Sequence, residues 1–86
     1  MKVTLDFGVG QTEEVEISET ALEAIRHKFN PSALMTVTRL KTLAAAFISE
    51  CERQGHATPA AREFAVAITN MQTTSMWSVL GATKGL

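Results

Sequence analysis

Arg62, Thr69, Thr73 and Met76 follow one another at spacings of seven, four and three residues, so on a helix they share one face. Asn70, Thr74 and Trp77 form a strip beside it, and earlier in the chain Thr38, Arg39, Lys41 and Thr42 occupy little more than one turn. A phosphorylated small ligand requires this mixture. A guanidinium makes bidentate contact to phosphate, hydroxyls serve its remaining oxygens, and an amide or flat apolar side chain meets a base. The same rows also read as a polar seam meeting water or another subunit, as the polar faces of small helices commonly do. Trp77 divides in the same way between an interface anchor and a stacking platform. The question is sharpest in "TNMQTTSMW", Thr69 to Trp77, where Thr, Asn and Ser weaken helix propensity in the middle of a helical pattern.

Covalent and metal chemistry have no such constellation. His27 and His56 stand far apart and read as a solvated side chain and a loop residue; Cys51 is the sole cysteine, and there is no H-E-x-x-H or Walker-type loop. "GVG" at Gly8 is too short and precedes a strand. No catalytic residue, metal site or cofactor is expected. A formal charge of −1 gives no general drive toward polymeric nucleic acid or anionic lipid. The lone thiol, and the lack of any signal-like or membrane-length apolar run, point to a reducing cytoplasm.

The elements that must position the polar rows follow from periodicity. "MKVTLDF" alternates with Val3, Leu5 and Phe7 on one side; "GVGQT" turns; "EEVEIS" alternates again through Val15 and Ile17, giving a β-hairpin over residues 1–17. Ser18 caps a short helix, residues 18–29, with Leu22, Ile25 and Phe29 on its apolar face. Pro31 then opens a long helix capped by Asn30. Its buried stripe runs through Leu34, Val37, Leu40, Ala44, Phe47, Ile48 and Cys51, with Arg39, Lys41, Glu50, Glu52 and Arg53 mostly off it. Gly55 is the natural left-handed residue ending it. Thr58 and Pro59 start the last helix, whose stripe runs from Ala61, Phe64, Ala65 and Ile68 to Met71, Ser75 and Val79. The fold class is α+β, mostly α: one domain over residues 1–86, with residues 31–84 forming an antiparallel helical hairpin. So small a chain buries only about 60–65% of its unfolded surface, and with 45% of its residues apolar an oligomer is expected.

Two stretches, "TRLKTLAAAFI" and "AREFAVAITNMQTTSMW", resemble the helical-hairpin domain of phage anti-CBASS and anti-Thoeris sponge proteins. The resemblance covers about half of the chain. It implies a protein that performs no chemistry and sequesters cyclic oligonucleotides or cyclic ADP-ribose isomers, assembled as a homo-oligomer, often a hexamer, with pockets between subunits. Carried onto this sequence, Arg62 and Arg39 or Lys41 face phosphates, while Thr69, Asn70 and Thr73 bond phosphate, ribose or base. With Met76 on the same face, these seven residues form the candidate ligand-binding set. Met71 and Gln72 depart from the family's common Leu-Glu pair, and Thr74 and Ser75 replace smaller apolar residues. Cyclic dinucleotide, cyclic trinucleotide and cyclic ADP-ribose ligands remain open. The alternative is a helical module that blocks a host protein through Met76, Trp77 and Leu80.

Overall fold

The structure, a computed structural model, describes residues 1–56 and 58–86. Strand β1 (Lys2–Gly8) pairs antiparallel with β2 (Gln11–Glu16) as a two-stranded sheet, Val3 opposite Val15 and Leu5 opposite Glu13. Between Asp6 and Gly8 the register slips, leaving Phe7 as an extra residue. Such a bulge turns a side chain away from the regular alternation. Phe7 is accordingly 57% exposed and does not join Val15 and Ile17 on the buried side, as alternation alone predicts. The turn is tight: Val9 and Gly10 both have positive φ, 47° and 75°, as a type I′ hairpin turn demands.

Helix α1 (Glu19–Ala24) starts from Ser18, whose Oγ accepts the Ala21 N–H at 3.1 Å. Periodicity carried this helix to Phe29, but it stops five residues earlier. The chain closes it with two backbone bonds, His27 N–H to the Leu22 carbonyl at 2.9 Å and Arg26 N–H to that of Glu23 at 3.1 Å. Arg26 occupies the left-handed position of that motif, at φ 52°. The next helix, α2 (Met35–Gly55), also starts later than Pro31, because Ala33 at φ 56° interrupts any helix between them. Asn30 does not cap at Pro31; its Nδ2 donates to the Leu34 carbonyl at 3.0 Å and to Thr38 Oγ1 at 3.2 Å.

The last helix, α3 (Ala61–Thr83), has Ala60, not Thr58, at its N-cap position, without a side-chain cap. Gly55 lies inside α2 and is not left-handed. Its role is close approach: a Cβ there would stand 3.0 Å from the Cβ of Phe64. Crossing at that end, α2 and α3 run back along each other, so the start of α2 meets the end of α3. The core gathers Ile17, Ala21 and Ile25 against Ala44, Ala45 and Ile48 of α2, with Ile68 and Met71 of α3 packed on it. Two small alanines in mid-helix let α1 lie close upon α2. Its start is tied there by Ser18 N–H to Ser49 Oγ at 2.9 Å, and by Ser18 and Thr20 hydroxyls donating to the Glu52 carboxylate, both at 2.6 Å. With one end of α1 fixed, the turn after its other end lies over the opposite half of α2.

Candidate anion-binding cleft

That turn, the first half of α2 and the second half of α3 enclose a cleft of about 510 Å³. Arg26 and Phe29 line it from the turn, Lys41 from α2, and Thr69, Gln72, Thr73 and Met76 from α3. The spacing of the α3 residues, three or four apart, puts them on one face.

Lys41 is only 5% exposed, against the sequence expectation that it lies off the buried stripe. The reason is geometric, since positions 37, 41, 44, 45 and 48 share one helical face whatever their residue types. Its ammonium donates to the carbonyl oxygens of Arg26, at 2.8 Å, and of Phe29, and lies 5.6 Å from the centroid of the Phe29 ring. Burial first, and the nearby Arg26 charge second, hold its pKa below the ordinary lysine value. Among the described residues no carboxylate lines the cleft, and the salt bridges involve neither Lys41 nor Arg26. Arg26 borders Glu19 and Glu23 on its other side, outside salt-bridge distance, so within the half-enclosed cleft the two cations face no counter-charge, an arrangement that favours an anion.

Hydrogen bonds within α3 explain how Thr69 and Thr74 are tolerated in mid-helix. Thr69 donates to the Ala65 carbonyl at 3.2 Å and Thr74 to that of Asn70 at 2.9 Å, so each proton is satisfied within its own helix while the oxygen can still accept. Gln72 turns inward, its Nε2 donating to the Ala24 carbonyl at 3.2 Å. His27 also departs from the expected solvated side chain: its Nε2 is 3.0 Å from Thr42 Oγ1. Because that hydroxyl donates to the Thr38 carbonyl, the imidazole is the donor.

Of the residues expected from sequence, the cleft brings together Lys41, Thr69, Thr73 and Met76. Arg39, Arg62 and Asn70 are exposed and line none of it. Arg39 precedes Lys41 by two residues, which turns it about 200° round the helix. Arg62 precedes Thr73 by eleven residues, about 16 Å along the axis. Asn70 is rotated about 100° from Thr69. Arg26, Phe29 and Gln72 were not anticipated; no Gly or Asn at position 26 marks the left-handed residue that ends α1 and turns the chain toward the cleft. Cys51, also lodged between the helices, has its thiol pushed up by burial and then by the Glu50 charge, which makes it a poor nucleophile.

A sequence model of the family described as Acb2/Tad1, hairpin domain, matches residues 19–83. That span includes all three helices and every residue named in the cleft; the β-hairpin lies outside it. No curated protein and no solved structure gives a significant match.

Proposed function

We propose that this chain, which belongs to the Acb2/Tad1 hairpin family of anti-CBASS and anti-Thoeris cyclic nucleotide sponges, is a non-catalytic phage immune-evasion protein that sequesters a cyclic di- or trinucleotide or a cyclic ADP-ribose isomer in the host cytoplasm. The observation that carries this reading is the pairing of Arg26 and Lys41 on a cleft without carboxylates. A phosphodiester or pyrophosphate supplies the missing negative charge, the Thr73 hydroxyl donates to a further oxygen, the Thr69 oxygen accepts from a ribose hydroxyl, and Phe29, 61% exposed at the rim, offers a ring for a base. Sequestration calls for tight stoichiometric binding without turnover. Among the described residues no helix is long and apolar enough to cross a membrane.

The binding form is a homo-oligomer, with the family's hexamer as the expected order. Arg39, Arg62 and Asn70, exposed and outside the cleft of their own chain, reach a ligand from a neighbouring copy in such an assembly. One further observation favours the alternative of a module that blocks a host protein: Met76, Trp77 and Leu80 are 66%, 69% and 57% exposed along one stretch of α3.

A thermal-shift screen with cyclic di-AMP, cyclic tri-adenylate and cyclic ADP-ribose separates the two. Ligand at 100 times its Kd adds about 2.7 kcal/mol, a rise of roughly 10–20 °C for a chain of this size. Stabilisation with intact ligand recovered after denaturation supports the sponge. Recovery of a hydrolysis product would sink the non-catalytic reading, and no shift with any of the three would favour the protein-blocking module.

A further inference from the structure

We infer that Lys41 and Gln72 are positioning residues that hold the turn of residues 24–29 from two different helices and so aim Arg26 into the cleft. The inference rests on the reading that the cleft takes a phosphate. A helix leaves its last carbonyls without partners, and the turn that follows adds more. Here the carbonyls of Arg26 and Phe29 are taken by the Lys41 ammonium from α2, and that of Ala24 by the Gln72 amide from α3 at 3.2 Å. One short turn is thus anchored at three points.

The anchoring accounts for a backbone that its sequence does not favour. Arg26 sits at φ 52°, where an arginine stays only if its surroundings impose the conformation. It also sorts the two cations by task. Lys41 is 5% exposed and commits two of its three N–H groups to backbone carbonyls, while Arg26 is exposed, with its fork of donors free of any carboxylate among the described residues. Arg26 is the cation that meets phosphate. Lys41 lies beneath the turn and fixes where that guanidinium can reach. Gln72, without charge, does the same from the other side.

The test is a titration of inorganic pyrophosphate into isotope-labelled full-length protein, followed by the backbone amide signals of residues 24–29. It compares the wild type with R26Q, K41M, Q72L and the pairs R26Q/K41M and R26Q/Q72L. The expected result is a loss of about tenfold or more in affinity for R26Q and about tenfold for K41M, the scale of one charge-assisted contact, with a several-fold loss for Q72L. Added to R26Q, neither second substitution weakens binding further, and amide exchange at residues 26–29 speeds up in K41M and Q72L but not in R26Q. A K41M loss that multiplies the R26Q loss would make Lys41 a direct phosphate ligand and overturn the inference, as would unchanged affinity in Q72L. If K41M does not fold, Q72L alone carries the same comparison. Should the wild type not bind pyrophosphate, the phosphate reading itself fails, a result distinct from additivity; R26Q binding it as the wild type does leaves that reading standing and overturns the inference.

Discussion

Arg26 sets a backbone cost against a binding task. A non-glycine residue in the left-handed region costs about 1–2 kcal/mol, partly offset in a glycine variant by about 0.4–1 kcal/mol of extra freedom in the unfolded chain. Arg26→Gly therefore stabilises by roughly 0.5–1 kcal/mol, raising Tm by about 2–8 °C, while weakening phosphate binding about tenfold or more. Calorimetry and a pyrophosphate titration on the same sample check both halves; a variant that binds as the wild type does would remove Arg26 from the site. Lys41 gives a second residue-level expectation. Its folded pKa is lowered, so between that value and the ordinary lysine value the unfolded chain binds more protons. Stability contributed through this group accordingly rises as pH climbs through that alkaline window. The urea midpoint of the wild type relative to that of K41M, measured from neutral pH to the lysine range, therefore rises with pH. A difference that stays constant with pH would contradict the burial assigned to this ammonium.

At the level of elements, the hairpin turn is held by an unsuitable residue. Val9 is 94% exposed at φ 47°, a conformation that β-branched side chains resist and that Asn-Gly adopts readily. Val9→Asn gains about 1 kcal/mol, or roughly 4–8 °C in Tm, without touching the cleft. A melting curve decides it, and a lower Tm would mean that the loop depends on the valine. The strands and long helices were legible because alternation at Val3 and Leu5 and the stripe through Val37, Ala44 and Ile48 are set by burial. Element ends were not legible, since they depend on local exceptions: a bulge at Phe7, left-handed Arg26 and Ala33, and a Gly55 kept small for Phe64. The cleft inherited that division. Thr69, Thr73 and Met76 followed from helical spacing, whereas Arg26 and Phe29 reach it only because α1 ends early. Lys41 held the right position on the helix, and its charge disguised it as a surface residue.

As a whole, the molecule is more open than a chain of its size needs to be. Its accessible surface is 6175 Å² and its radius of gyration 13.8 Å, where a compact monomer of this mass has roughly 5,000 Å² and about 12 Å. The excess, about 1,200 Å², is of the order that specific interfaces cover. It is also apolar in part. Along α3 only Ser75 is buried, and Val66, Met76, Trp77 and Leu80 stand at 46%, 66%, 69% and 57% exposure, with Leu43 and Phe47 of α2 at 65% and 45%. A contiguous patch of large apolar side chains on a helix favours a neighbour that covers it. A second copy of the chain would meet that demand. Sedimentation at micromolar concentration should therefore show an oligomer, and Trp77→Glu should dissociate it, because a carboxylate there would be desolvated without a partner. The same variant should lose ligand affinity if the neighbouring copy contributes to the site, and keep it if the cleft of one chain suffices. A wild-type monomer at those concentrations would leave α3 uncovered by its own kind, and the surface around Trp77 would then belong to a different protein.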